Sequence, residues 1–272
     1  MPTAAPPLFF VIDVAGGGGA PPPALAARLQ ASRRAHELLH VRQASDRHAS
    51  IGRAVNAARQ ARGAVVAVGG PPTVNAVLQA AWNAQLPLAV LPPDAPAAAL
   101  DALLGARPRP RPLGCVGDRV FLHGAELGLR LTLPAPQPGA APATTPAALA
   151  RELGTLLAGR SLLTLRLQCQ GELRVVRTRG LRVAAPTARP RLGVLARPAL
   201  PAAASAALLL RAAWVGARQA READVFEADA LQLEGARRQR RLSVWVDGEA
   251  LELPLPLSFE VAPRPLLWLD AG

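Results

Sequence analysis

The sequence predicts an α/β domain with a parallel sheet, followed by a mostly antiparallel β-sandwich domain, and three observations predict it. Up to residue 104, short apolar runs alternate with helical patterns, the rhythm of strands joined by crossover helices. After the stretch Arg107 to Pro112, apolar and polar residues alternate between tight-turn signals, the period of antiparallel strands. Half of the 272 residues are apolar, enough for a sizeable core without help from metals or disulfides.

In chain order, Leu8 to Val14 reads as a strand ending in the glycine loop Gly16 to Gly19, and Pro23 to Leu39 as a helix. A second helix, Ile51 to Arg62, leads to the strand Ala64 to Val68. There follow a glycine turn at Gly69-Gly70, a helix from Val74 to Trp82, a strand from Leu86 to Leu91 and a helix from Ala95 to Leu104. Past the Pro/Arg stretch, strand signals cover Arg119 to Leu122, Leu127 to Leu133, Leu162 to Gln168, Leu173 to Thr178 and Leu192 to Ala196. Further strands are read at Ala207 to Val215, Leu231 to Leu233, Leu242 to Val246 and Leu266 to Leu269, with turns at Gln170-Gly171 and Asp247-Gly248. Pro134 to Pro146 reads as a Pro/Ala/Gly loop and Ala147 to Leu157 as one helix. The predicted boundaries are 1–110 and 111–272, allowing the N-terminal strand to return to the second domain, with any cleft between the two.

The formal charge is +12, and every basic residue is arginine, because the chain has no lysine. Two readings stay open. A basic surface suits an anionic partner, while abundant Ala, Arg, Pro, Gly and Leu without Lys or Tyr also fits a GC-rich genome. Aromatics make up 3% of the chain, too few for a stacking platform, so no nucleic-acid partner is expected. Cys115 and Cys169 lack metal-site spacing and read as buried thiols in a reducing compartment. Met1 to Leu8 lacks the basic stretch of a secretory leader, and no apolar run is long enough for a membrane helix. A soluble, cytoplasmic protein is expected.

Gly69 and Gly70 stand between a strand and a helix, where bare N–H groups and a helix N-terminus can hold a phosphate. They could equally form only a tight turn. Thr73 is placed to cap a helix starting at Val74, and Asn75 shares that ambiguity. Asp247-Gly248 is a type I′ hairpin signal, and Glu249 is expected exposed beside it. His36 and His40 are four apart with no third ligand evident, a solvated helix face. The run Arg237-Arg238-Gln239-Arg240-Arg241 leaves three options: a nucleotide phosphate, an anionic lipid headgroup or no ligand.

Five places resemble, in order and spacing, the bacterial diacylglycerol kinase-like lipid kinases. Ile12-Asp13-Val14-Ala15-Gly16-Gly17 stands where that family has N-P-x-S-G. Gly69-Gly70-Pro71-Pro72-Thr73-Val74-Asn75 is similar to GGDGT-x-N. Pro87 to Pro92 resembles P-L-G-x-x-P, with Asp94-Ala95-Pro96-Ala97-Ala98 in place of the following G-T-x-N-D. Phe121 and Gly128 hold an F-x-x-x-x-x-x-G spacing. Val244 to Glu249, followed by Leu255 to Leu269, resembles the D-G-E hairpin and closing strands.

The resemblance implies a nucleotide-binding first domain, with Gly69, Gly70, Thr73 and Asn75 at an ATP site and Glu249 as acceptor of the lipid hydroxyl proton. Asp247 would support the hairpin turn. It implies ATP and Mg²⁺ as cofactors, a lipid or membrane surface as partner, room for a homodimer, and a cytoplasmic protein peripheral at the inner membrane face. The departures concern chemistry. Pro71 and Pro72 replace a carboxylate and remove two N–H donors, Ala95 replaces the threonine, and Ala206-Ala207-Leu208-Leu209 offers no metal ligand where the family has D-G-L-L. The expected outcome is little or no kinase activity, or a pseudokinase that binds lipid or an anionic membrane surface.

Overall fold

The computed structural model describes residues 6–14, 23–32, 34–128, 163–169, 172–187, 189–198, 224–234 and 240–270, with the backbone alone at 23–24, 163–169, 172–174, 176, 179, 197–198 and 224–225. The loop Gly16 to Gly19, the segments 134–157 and 206–215, the turn Gln170-Gly171 and Arg237 to Gln239 lie outside the described residues. Two compact units divide the chain: residues 1–113 with 262–272, and residues 114–261.

The first unit is built on a six-stranded sheet. Its strands are β1 (Leu8–Asp13), β2 (His36–Val41), β3 (Ala64–Val68), β4 (Leu88–Leu91), β5 (Arg109–Arg111) and β17 (Leu266–Trp268), in the order β2-β1-β3-β4-β17-β5. All neighbours are parallel except β17 and β5. Every residue of β1 and of β3 is buried, because helices cover both faces and neither side of these strands meets water. On one face, α1 (Pro23–Ala31) and α4 (Ala97–Gly105) pack Leu25, Leu29, Leu100 and Leu103 against Leu8, Phe10, Ile12 and Val66. On the other, α2 (Arg47–Gln60) buries Ile51, Ala54 and Ala58, and α3 (Pro71–Ala84) buries Val77, Leu78 and Ala81. Spacings of three and four residues give each helix a single apolar stripe.

Two expectations are corrected here. The helix read over Pro23 to Leu39 stops at Ala31, where Ser32 Oγ donates to Leu29 O (2.8 Å) and accepts from the Arg34 N–H (3.3 Å). His36 to Val41 then pairs with β1 in the register Leu8↔His36, so His36 and His40 lie on a strand and not on a helix face. The last strand, read as part of the second domain, belongs to the first sheet: Trp268 pairs with Leu88, and the Leu269 N–H donates to Leu88 O at 2.8 Å. It is the C-terminal segment that crosses between units, while β1 stays near the centre of its own sheet.

Arg34 is buried at 8% exposure. Its guanidinium donates to Pro6 O (2.8 Å) and to Leu103 O (3.3 Å) and Leu104 O (2.8 Å) in the last turn of α4, where helix carbonyls run short of intrahelical donors. Burial pushes its pKa below the usual arginine value, yet the group stays charged at neutral pH.

The second unit is antiparallel throughout. It comprises β6 (Gly114–Val116), β7 (Arg119–Phe121), β8 (Gly124–Gly128), β9 (Leu163–Cys169), β10 (Glu172–Ala184), β11 (Leu192–Pro198), β12 (Asp224–Ala228), β13 (Ala230–Glu234), β14 (Arg241–Val246), β15 (Glu249–Pro254) and β16 (Leu257–Val261). The long β10 pairs with β9 through residues 172–178 and with β8 through residues 180–184, and its ladder with β11 shifts register between Thr178 and Gly180. There, Thr178 Oγ donates to Gly180 O at 2.7 Å. A bulge of this kind bends a strand so that it serves two parts of a sheet. One core results, shared by Phe121, Leu127, Val183, Val194, Leu233, Val244 and Phe259. Cys115, on β6, is half-buried and not fully buried as expected, and burial together with nearby Glu260 pushes its thiol up.

Candidate functional site

β1 and β3 lie side by side, but the helices that follow them, α1 and α3, pack on opposite faces of the sheet. In open α/β sheets the crevice outside the carboxyl ends of two such strands is where ligands bind. Asp13 closes β1 and Gly69-Gly70 closes β3, so both stand at this crevice.

The three residues are fitted to one another. Gly69 has φ +152°, and a Cβ there would lie 2.6 Å from Asp13 Cβ, which no side chain tolerates. Gly70 is the cap of α3, extended at φ −78° and ψ 172°, with no side-chain capping bond. Pro71 and Pro72 then occupy the first two helical positions. Proline belongs there because its fixed φ suits a helix and the N–H it lacks would have had no intrahelical partner.

This moves the start of the helix and changes what Thr73 does. It is not the cap of a helix beginning at Val74 but the third residue of one beginning at Pro71. Its N–H donates to Gly70 O at 3.1 Å, it is 0% exposed, and its hydroxyl donates to Asp13 Oδ2 at 2.6 Å. Asp13 is itself buried, at 8% exposure. Asn75 follows on α3, half-buried.

What the crevice can do follows from these contacts. Of residues 69–72 only the two glycines have N–H groups, and the side chain packed against them is a carboxylate. A triphosphate needs converging donors and positive charge, and among the described residues this turn offers two N–H groups beside a carboxylate, which do not fit one. Among the described residues, no group of three or more His, Cys, Asp or Glu side chains could hold a metal ion.

Glu249 lies in the other unit as the first residue of β15, paired with Val246 across the turn. Asp247 (φ 44°) and Gly248 (φ 86°) both have positive φ, as a type I′ turn requires. Glu249 is half-buried and not exposed as expected. The Asp247 carboxylate accepts hydrogen bonds from the N–H groups of Leu122 (2.6 Å), His123 (2.9 Å) and Gly124 (2.8 Å). These charge-assisted bonds tie the hairpin carrying Glu249 to the turn between β7 and β8.

Asp13 gained no role from its sequence beyond its place in a motif. One available signal was its position as the only charge in an otherwise apolar strand, next to a glycine turn.

No protein-family model matches the sequence, and no curated protein matches it. Solved structures do match, over almost the whole chain. Two structures described provisionally as diacylglycerol kinases, both from Bacillus anthracis str. Sterne, are similar at TM-score 0.69 with 14% identity and at TM-score 0.67 with 13% identity. The first covers 99% of this chain and 98% of its own, and the second 97% of each. A crystal structure of a diacylglycerol kinase from the same organism is similar at TM-score 0.64 with 12% identity, covering 97% of both chains. The chain shares the fold of these proteins from end to end, in agreement with the resemblance read from its motifs.

Proposed function

We propose that this chain is a lipid kinase by fold, whose nominal reaction is transfer of the γ-phosphoryl group of ATP to a diacylglycerol-type hydroxyl, and that its site has lost most of that chemistry. One observation carries this reading: Thr73 is drawn into α3 behind Pro71 and Pro72 and donates to buried Asp13. Phosphoryl transfer depends on positioning and charge neutralisation around the phosphates. Loss of one transition-state donor costs roughly 10²- to 10³-fold in rate, and here the turn lacks two N–H donors and presents a carboxylate. Glu249 is the residue proposed to accept the lipid proton in the ancestral reaction, with Gly69, Gly70, Thr73 and Asn75 marking the former nucleotide site.

The test is a phosphorylation assay with Mg²⁺, ATP and a short-chain diacylglycerol in mixed micelles. Turnover at background, unchanged in Glu249→Ala, and no thermal shift with ATP are expected. Restoring Pro71→Asp with Pro72→Gly should raise ATP affinity. Robust turnover that Glu249→Ala abolishes would overturn the reading.

A second reading is association with an anionic membrane surface without turnover. The charge of +12, carried by arginine alone, favours it.

A further inference from the structure

The first unit carries, on one face of its sheet, two tryptophans each covered by an arginine. Arg111 lies over Trp268, its guanidinium carbon 4.9 Å from the ring centroid, and Arg264 lies over Trp82 at 4.6 Å. The register Leu266↔Arg111 and Trp268↔Arg109, with side chains alternating along a strand, puts Arg109, Arg111, Leu266 and Trp268 on the same face. Leu266 and Trp82 also line a cavity of about 280 Å³ with Leu86 and Arg264, which joins the second pair to that face.

The second pair is fixed by reciprocal bonds. Trp82 Nε1 donates to Arg264 O (3.1 Å), and Arg264 Nη2 donates to Trp82 O (3.1 Å) and Asn83 O (3.4 Å). Around the first pair, Arg107 and Arg109 are exposed, and residues 102–117 contain no acidic side chain. Asp270 is the one carboxylate of the closing stretch 262–270.

Three kinds of partner meet an exposed sheet edge. Another strand is disfavoured, because Pro108, Pro110 and Pro112 remove donors from β5. Nucleic acid bases would stack on open aromatic faces, but an arginine covers a face of each ring. The surface of an anionic bilayer fits best: its phosphates complement the arginines, tryptophan favours the interface between headgroup and hydrocarbon, and arginine stems lie along apolar surface with the charge in water.

We propose that this face, formed by Arg107, Arg109, Arg111 and Trp268 beside the Trp82–Arg264 pair, docks the protein on an anionic bilayer. The proposal rests on the second reading above and names the surface responsible. Each arginine near an anionic surface contributes about a fivefold gain in binding, so removing two should cost roughly 30-fold.

The experiment measures co-sedimentation of the full chain with phosphatidylcholine vesicles, with and without phosphatidylglycerol, across a salt series. The variants are Arg107→Ser with Arg109→Ser, which alters exposed side chains only, and Trp268→Leu, each checked for an unchanged melting temperature. Expected are salt-sensitive binding of the wild type to the anionic vesicles, a roughly 30-fold loss in the arginine variant, and a blue shift of tryptophan fluorescence on binding. If the wild type ignores anionic vesicles, the membrane reading itself fails. If the wild type binds and both variants bind equally well, the membrane reading stands and this surface is wrong. A single-stranded oligonucleotide that displaces the wild type from vesicles, and binds the variants less, would overturn the proposal in favour of nucleic acid.

Discussion

Asp13 and Thr73 are a buried pair whose value depends on both partners. Replacing Thr73 with valine keeps the volume and removes the hydroxyl, leaving Asp13 Oδ2 without that 2.6 Å bond. A buried acceptor deprived of a donor costs about 1–3 kcal/mol, so Thr73→Val should lower the urea midpoint while leaving the slope unchanged. Combined with Asp13→Asn, the loss should be less than the sum of the two, by about 1 kcal/mol or more, because the residues share one bond. Additive losses would show that the pair does not act as a unit. At this scale the sequence revealed less than the structure. Asp247-Gly248 was legible as a turn because a type I′ turn admits few residue types. The donors to its carboxylate were not, since the Leu122 N–H comes from 125 residues away. The burial of Thr73 was illegible for a related reason: it depends on where two prolines start a helix and on a carboxylate from a different strand.

Elements were legible in proportion to how fully they are buried. β1 and β3 are covered on both faces and appear as unbroken apolar runs, and α3 shows its stripe in Val77, Leu78 and Ala81. β2 was read as the end of a helix because Leu38 and Leu39 fit either period, and pairing with β1 decides the matter. β15, half-buried at Glu249, Leu251 and Leu253 and exposed at the residues between, is hard to place until β14 is set beside it. β5 is the element whose sequence says most once its position is known. It is the edge strand of its sheet, and Pro110, opposite Leu267 in the ladder, has no N–H to offer a further strand. Pro108→Thr with Pro110→Val should therefore create a strand-like edge that pairs with a second copy. Concentration-dependent dimers or aggregates are expected on size exclusion, against a monodisperse wild type under the same conditions. Unchanged elution at high concentration would mean that proline does not protect this edge.

At the scale of the whole molecule, the chain leaves the first unit after Leu113, builds the second, and returns at Ala262. The return is structural: β17 sits between β4 and β5, the Ala262 N–H donates to Leu113 O at 2.9 Å, and Leu266 and Leu269 are 2% and 0% exposed. Ending the chain at Val261 would strip these side chains and the partner of Trp82 from the first unit while removing nothing from the second. Each fully buried leucine contributes about 1.5–3 kcal/mol, and the lost strand pairing adds to that. The total approaches the 5–15 kcal/mol that holds a typical domain together. The second unit keeps its core, since Phe121, Leu127, Val183, Val244 and Phe259 all lie within residues 114–261. A chain of residues 1–261 should therefore lose the far-UV circular dichroism that α1 to α4 contribute, because all four belong to the first unit, and keep the strand signal with protected amides in β8, β10 and β14. Full helicity retained after truncation would show that β1 to β4 and their helices fold without the closing strand. A total loss of both signals would show that the second unit needs the first in order to fold.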